Sequence, residues 1–172
     1  MSPEFVGWPG RTIRTIALLS TGVAAALAPS ASRAQSMDEK AVVSAVERFF
    51  EGMLKADSML MKSTVAAGAR LTSVANRDGT PTLNVISMDQ FITSAGSRPP
   101  GTNEKVYRPE VRIDGDLATV WTFYTLHVGE RFIHCGIDAF QLLRDGDTWR
   151  IVSLAFTTAL PEDSLPKGGT RP

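Results

Sequence analysis

The stretch LATVWTFYTLHVGERFIHCGIDAFQLLRDGDTWRIVSLAFTTAL, residues 117–160, decides the fold. Its β-branched and aromatic runs are typical of strands. Gly129-Glu130 and Asp145-Gly146 separate these runs and suit tight turns. Strands joined by such short turns must be antiparallel neighbours. The stretch therefore predicts a meander of three long strands, over residues 117–128, 131–144 and 149–160.

Shorter elements precede this meander. The first is a short helix capped by Asp57 or Ser58, and a hairpin (70–75 with 82–86) follows it. The capping box from Ser87 to Gln90 begins another short helix. A strand (105–113) comes last, after a loop with Pro99-Pro100-Gly101. Helices first and then an antiparallel meander are the pattern of an α+β domain, in which helices cover one face of the sheet.

The clearest helix is predicted over residues 36–56, where Ser36 and Glu39 match the S-x-x-E capping box. Apolar residues recur there at i, i+3, i+4 and i+7 and form one stripe on the helix surface. The stripe consists of Val42, Ala45, Val46, Phe49, Met53 and Leu54. Long antiparallel strands must twist and coil. We therefore predict an α+β fold with a strongly curved sheet whose concave face the N-terminal helices fill.

The N-terminus matches a secretory signal peptide. Arg11 and Arg14 precede a low-polarity run over residues 15–28, and Ser32-Arg33-Ala34 offers the small residues of a cleavage site. The run is about 14 residues long, whereas a membrane-spanning helix needs roughly 20. We therefore expect cleavage after Ala34 and export to the periplasm or medium, with an uncleaved anchor as the alternative. The predicted parts are a signal peptide with an N-terminal extension (1–34), one domain (35–160) and a disordered tail (161–172).

The composition excludes several classes of function. The chain has 18 basic and 18 acidic residues, so its formal net charge is zero and no basic patch predicts a nucleic-acid partner. Two histidines, His127 and His134, and the single Cys135 give no metal-ligand spacing. No nucleotide- or cofactor-binding motif appears. We expect no metal, no cofactor, no nucleic acid and no stable membrane anchor.

The hairpin around Gly129-Glu130 sorts its side chains onto two faces. In unbroken register, a two-residue turn sets Trp121 opposite Asp138. One predicted face then carries Thr119, Trp121, Phe123, Thr125, His134, Gly136, Asp138 and Phe140, and the other carries Val120, Thr122, Tyr124, Cys135, Ile137 and Ala139. The first face mixes aromatic rings with one carboxylate and one imidazole, as small-molecule pockets do. A slip of one residue would change the cross-strand pairs but leave His134 and Asp138 on one face.

The segment HCGIDAF, His134 to Phe140, resembles the HCGxDxF segment of bacterial proteins in the nuclear transport factor 2-like superfamily, near its SnoaL-like and putative lumazine-binding branches. Gly115-Asp116 before Ala118 and Val120, and Asp145-Gly146 before Trp149-Arg150-Ile151, are similar to the GD-x-A-x-V and DG-x-W-x-I rhythm of that superfamily's last strands, with one more residue before the tryptophan here. The similarity covers residues 37–160 and implies the cone-shaped fold. The superfamily includes ketosteroid isomerases, scytalone dehydratase, polyketide cyclases and non-catalytic members, so the resemblance assigns no catalytic residue.

Asp138 and His134 are the candidate catalytic residues. Burial beside aromatic rings would raise the pKa of Asp138 and suit it to act as a general base; the alternative is a structural carboxylate. Their Cα atoms lie four residues apart on one strand, roughly 13 Å, which excludes a direct pair but lets each contact one end of a ligand. The candidate pocket residues are Trp121, Phe123, Phe140, Phe49 and Met53, with a packed core as the alternative.

Three functions remain open from the sequence. The first is an exported pocket protein that binds a small apolar or aromatic molecule, with a homodimer formed across the sheet. The second is an enzyme of the isomerase, dehydratase or cyclase kind, in which Asp138 moves a proton while His134 or Tyr124 polarises an oxygen. The third is a dimeric interaction module whose cone is filled and holds no ligand.

Overall fold

The computed structural model describes residues 28–77 and 80–159. In chain order, the elements within these residues are α1 (Ala28–Lys55), α2 (Ser58–Ser63), β1 (Val65–Arg77), β2 (Thr80–Ser87), α3 (Met88–Gly96), β3 (Thr102–Asp114), β4 (Leu117–Val128), β5 (Arg131–Asp145) and β6 (Thr148–Thr157). The six strands form one curved sheet in the order β2-β1-β6-β5-β4-β3. Neighbouring strands are antiparallel except β1 and β6, which are parallel. The predicted α+β fold, with its meander and its earlier hairpin, is confirmed.

The first helix begins earlier than predicted. α1 starts at Ala28, so it runs through Ser36, and the predicted capping box does not lie at a helix end. Pro29 is tolerated because the first helical turn needs no amide donor at that position. The predicted cleavage site after Ala34 falls within this helix. Most of the predicted signal peptide (1–27) and the whole predicted tail (161–172) lie outside the described residues.

The two short helices have the predicted caps. The Asp57 carboxylate accepts hydrogen bonds from the amides of Met59 and Leu60 at 3.0 and 2.9 Å, which starts α2. At α3 the box is reciprocal: the Ser87 hydroxyl accepts from the Gln90 amide, and the Gln90 side chain accepts from the Ser87 amide. These bonds satisfy amides that a helix start otherwise leaves unpaired.

The apolar stripe of α1 packs on the concave face of the sheet. Val42, Val46, Phe49 and Met53 are buried there. Their partners come from every part of the sheet and from α3, and include Leu71, Ile92, Val120, Phe140, Ile151 and Leu154. Leu54, the last residue of the predicted stripe, is 37% exposed. No helix within the described residues is both long enough and apolar enough to cross a membrane.

The β4–β5 hairpin departs from the predicted register at a single residue. Val128 pairs with Arg131 and His127 with Phe132, but Leu126 then pairs with His134, so Ile133 is an extra residue in β5. A bulge of this kind sets two residues against one and reverses the cross-strand relation behind it.

The predicted register is therefore wrong from Leu126 onward. Asp138 lies opposite Thr122, not Trp121, and shares the concave face with Tyr124. Trp121 and Phe123, which were predicted as pocket residues, lie on the convex face instead, and Trp121 is 56% exposed.

Candidate functional site

A cavity of about 170 Å³ lies between α1, α3 and the concave face of the sheet. Most of its wall is apolar and comes from Phe49, Phe50, Met53, Leu71, Phe91, Ala95, Leu126, Leu154 and Phe156. Its polar groups come from Glu104, Tyr124, His134 and Asp138, with Arg98 and Thr102 also in the wall. An apolar enclosure with a few convergent polar groups is the usual form of a small-molecule site.

The aromatic part of the wall is a connected set of rings. Phe49 contacts Phe50 edge-on at 5.6 Å between ring centroids and stacks on Phe91 at 6.0 Å. Phe50 in turn packs edge-on against Phe140 at 5.9 Å. Phe140 is almost completely buried behind Phe50, so it supports the wall rather than lining the cavity.

Asp138 is a buried carboxyl group that lacks the usual donors. The residue is 1% exposed, and no backbone amide, alcohol hydroxyl or basic side chain of the described residues donates to either carboxylate oxygen. The hydroxyl of Thr122, across the strand pair, donates to a backbone carbonyl of Tyr107 instead, at 3.0 Å. Buried polar groups are nearly always hydrogen-bonded. A buried carboxylate that lacks these donors therefore needs another partner.

Glu104 brings a second carboxyl group to the same place. Its side chain lies beside that of Asp138, close enough for the two to share a hydrogen bond, which requires a proton on one of them. Burial raises the pKa of Asp138 to about 7, an effect that the hydrogen bond from Glu104 partly offsets. Burial, and next the charge of Asp138, raise the pKa of Glu104 well above its ordinary value. The two groups titrate as a pair that holds a proton.

Tyr124 connects the cavity to His134 and to the end of β6. Its hydroxyl donates to the carbonyl of Thr157 at 2.8 Å and lies 3.1 Å from Nδ1 of His134. Because the single hydroxyl proton goes to Thr157, Nδ1 is the donor in the contact with His134, which leaves Nε2 as the acceptor nitrogen. Burial lowers the pKa of His134, so the imidazole is neutral near pH 7. Burial also raises the pKa of Tyr124, which keeps its hydroxyl protonated.

Gly136 makes room for this arrangement. A Cβ at position 136 would lie 2.0 Å from the carbonyl oxygen of Thr157 and 3.0 Å from the Tyr124 ring. Beyond that point the chain stays beside β5, since Cys135 and Ala159 form an isolated bridge. The glycine of the HCGxD segment is therefore required by close backbone approach.

The family of the chain follows from its sequence over this domain. The family described as "Putative lumazine-binding" matches residues 37–157, most of the chain. The chain belongs to this family. It is accordingly a member of the nuclear transport factor 2-like superfamily, as the HCGIDAF segment indicated.

Solved structures share the fold of this nuclear transport factor 2-like domain. An NTF2-like protein of unknown function from Shewanella baltica OS155 has 22% identity and a TM-score of 0.57, over 72% of this chain and 95% of that chain. A protein from Streptomyces avermitilis described as a putative dehydratase has 18% identity and a TM-score of 0.56, over 73% and 99%. One with a cystatin-like fold from Novosphingobium aromaticivorans has 12% identity and a TM-score of 0.61, over 80% and 92%. A search of curated proteins found no match.

In this nuclear transport factor 2-like domain, the cavity gathers part of the predicted site. Asp138, His134, Phe49 and Met53 line it, whereas Phe140, Trp121 and Phe123 do not. Sequence reasoning missed Glu104, which stands one residue before the predicted strand 105–113. It also placed Tyr124 on the opposite face. Within residues 28–77 and 80–159, no group of three or more His, Cys, Asp or Glu side chains is arranged to hold a metal ion.

Proposed function

We propose that this protein binds a small molecule of about one ring in the cavity, with a hydrogen-bond donor of the ligand directed at Asp138. The scale follows from volume: an apolar cavity of about 150 Å³ accommodates benzene, and the cavity here measures about 170 Å³. The family description as lumazine-binding supports a small-molecule ligand. The open volume argues against an interaction module with a filled cone.

The buried carboxyl group of Asp138, which has only the carboxyl group of Glu104 beside it, carries this proposal. Burying a polar group without a partner costs about 1–3 kcal/mol by mutational measures, and a charged group costs more. Apart from Glu104, no donor of the described residues reaches either oxygen of Asp138. An N–H or O–H group of a ligand in the cavity would satisfy it, while the aromatic rings would cover the apolar part of the ligand.

Two measurements test this function. Native mass spectrometry of the protein from its own source should detect a retained small molecule. In addition, benzyl alcohol titrated into the ¹⁵N-labelled protein should shift the amide signals of Leu126, His134 and Phe156, which line the cavity, but not those of the convex face around Trp121. If no single-ring compound perturbs the cavity residues selectively, the binding proposal is wrong.

Proton transfer is a second candidate, because the carboxyl pair holds a proton near neutral pH. A general acid or base works best when its pKa lies near the working pH, and burial raises the pKa of Asp138 to about 7. Dehydratase and ketosteroid isomerase appear among the descriptions of proteins that share this fold. With a cyclic ketone as probe, Asp138 would remove a proton from the carbon next to the carbonyl, and the carbonyl oxygen would accept a hydrogen bond from protonated Glu104.

Proton transfer by Asp138 predicts that the protein catalyses hydrogen exchange at the carbon next to a ketone. Cyclohexanone in D₂O should exchange its α-hydrogens faster with the protein than without it, as followed by NMR. Asp138→Asn should abolish the acceleration while benzyl alcohol still binds. Trp121→Ala, on the convex face, should leave it unchanged. Equal rates for Asp138→Asn and the unmodified protein would eliminate Asp138 as the base.

We also propose that the protein is exported. The proposal rests on the basic start, the short apolar run and the Ser32-Arg33-Ala34 site. Expression of the full chain in a bacterial host, followed by intact-mass analysis of the periplasmic fraction, should give a protein that begins at Gln35. Retention of the unprocessed chain in the cytoplasm would contradict export.

Finally, we propose a homodimer through the convex face. Trp121 is 56% exposed there, in a shallow groove that it shares with Arg112, Gln141 and Ser153. Exposed aromatic residues are enriched at interfaces. Sedimentation analysis should give a dimer that Trp121→Ala converts to a monomer, whereas Leu83→Ala, at an exposed apolar residue of β2, should not change the mass. A monomer at every concentration would contradict the dimer.

A further inference from the structure

The charge of the cavity sets the class of ligand more narrowly than its size does. Two carboxyl groups, Glu104 and Asp138, face the same space. None of the ion pairs in the described part of the chain involves either of them. Arg98, the basic residue in the wall, has an exposed side chain whose Nη2 lies 3.3 Å from the Ser94 hydroxyl. The acidic charge of the cavity is therefore not balanced by a protein cation.

The other polar groups do not balance it either. Burial keeps His134 neutral near pH 7, and the proton of the Tyr124 hydroxyl is directed at the Thr157 carbonyl. Two adjacent carboxyl groups do not both ionise easily, so the pair carries one negative charge when it shares one proton. A single positive charge in the ligand would neutralise it.

The rest of the wall also suits a positive charge. The cavity is lined by the rings of Phe49, Phe50, Phe91, Tyr124 and Phe156. The faces of aromatic rings carry negative potential and attract organic cations, most strongly when water is excluded. An anion would meet unfavourable charge from the carboxyl pair. A neutral donor would satisfy one oxygen but leave the charge in place.

We propose that the ligand of this cavity is a small organic cation, a protonated amine on or beside a single ring, whose N–H groups donate to the carboxyl groups of Asp138 and Glu104. An ammonium group has three donors, which is enough to pair both oxygens of Asp138 and one of Glu104. Charge-assisted hydrogen bonds of this kind are roughly twice as strong as neutral ones. This inference rests on the proposed small-molecule function.

Three compounds of nearly equal size separate the possibilities. Benzylammonium has the charge and the donors, benzyl alcohol has a neutral donor, and toluene has neither. Calorimetric titration at pH 7 should give the order benzylammonium, benzyl alcohol, toluene, with the cation bound at least about tenfold more tightly than the alcohol. If the alcohol or toluene binds as tightly as the cation, this inference is wrong and the binding function stands. If none of the three binds, both fail.

Variants show whether the carboxyl pair causes the preference. Glu104→Gln and Asp138→Asn should each lower the affinity for benzylammonium about tenfold and leave toluene binding unchanged. Glu110→Gln is the matched control, because Glu110 is an exposed carboxylate on the same strand that lies outside this cavity. Circular dichroism establishes that each variant is folded, and Glu104→Gln decides alone if Asp138→Asn is not. An undiminished preference for the cation in the folded variants would overturn the assignment.

Discussion

The two walls of the β4–β5 hairpin are built from alternate residues of the same strands, yet the most telling residues of each wall differ sharply in burial. On the concave wall, Thr122, Tyr124 and Asp138 are each 1% exposed. On the convex wall, Trp121, the largest apolar side chain of the hairpin, is 56% exposed. A carboxyl group is thus buried while an indole faces outward, the reverse of the ordinary preference. Departures of this kind are expected at functional sites, where stability is given up for chemistry.

Gly136→Ala should have the largest effect, because it acts where the concave wall has no space. The added Cβ would lie 2.0 Å from the Thr157 carbonyl, so β6 or β5 must move. We expect a loss of about 3 kcal/mol or more in the free energy of unfolding, at the upper end of overpacking costs. Urea denaturation measures it. Ala139→Val, a larger side chain on the convex wall, should cost about 1 kcal/mol or less; equal losses would remove the contrast between the walls.

The pH dependence of the free energy of unfolding should report the proton that Asp138 and Glu104 hold on the concave wall. The pKa of Asp138 is raised from 3.8 to about 7, so between these values the folded chain holds a proton that the unfolded chain has lost. This contribution makes stability fall as pH rises through that range. The raised pKa of Glu104 also makes stability fall as pH rises. His134 opposes them below its ordinary pKa, because the folded state disfavours its charged form.

Asp138→Asn isolates this contribution. From pH 4.5 to 7.5, the free energy of unfolding of the unmodified protein should fall relative to that of the variant, by an amount on the order of a few kcal/mol. Urea denaturation at several pH values measures the difference. Glu110→Gln, at an exposed carboxylate, should give a curve parallel to that of the unmodified protein. Parallel curves for Asp138→Asn as well would mean that its carboxyl group is not protonated in the folded state.

Two tyrosines give a smaller, matched contrast. Tyr124→Phe removes a buried hydroxyl that donates to Thr157 and contacts His134. It should cost about 1–2 kcal/mol and change the tautomer of His134, which the ¹⁵N shifts of the imidazole report. Tyr107→Phe removes a hydroxyl that contacts Thr125 at 3.3 Å on the other wall and should cost about 0.5 kcal/mol or less. An unchanged imidazole spectrum in Tyr124→Phe would contradict the assigned hydrogen bond.

Trp121→Ala should have the smallest effect on the folding of the single chain. At concentrations low enough to keep the chain monomeric, the free energy of unfolding should change by about 0.5 kcal/mol or less, as for other exposed sites. Thermal denaturation of dilute samples checks this. A loss comparable to that of Gly136→Ala would show that the convex wall is as important to the monomer as the concave one.

Most of the fold could be predicted because its signals are local. Turn dipeptides and strand composition located β4, β5 and β6, and the capping residues Asp57 and Ser87 located the short helices. The start of α1 could not be predicted in the same way. A capping box at Ser36 is favourable at a helix start, but it does not prevent residues 28–35 from continuing the helix.

The site could be predicted only in part, because it depends on two interruptions of strand alternation. His134 and Asp138 lie four residues apart on β5, and both follow the extra residue Ile133. No change of register therefore separates them. Their partners across the sheet do depend on it, which is why Tyr124 was placed on the wrong face. In β3, a register shift between Tyr107 and Glu110 likewise reverses the alternation. Glu104 and Val106 precede this shift, so the pattern of the later part of the strand gave no indication that Glu104 faces inward.

The extra residue Ile133 also separates the tip of the hairpin from the wall behind it. The tip contacts the loop before β3, since the amide of Gly129 donates to the Gly101 carbonyl at 3.0 Å. A bulge can absorb the gain or loss of one residue without shifting every pair beyond it. The tip of the hairpin can therefore change in length and sequence, by evolution or by design, while Asp138 and Glu104 keep their geometry. Related chains could vary this tip freely and still keep the same pair of carboxyl groups.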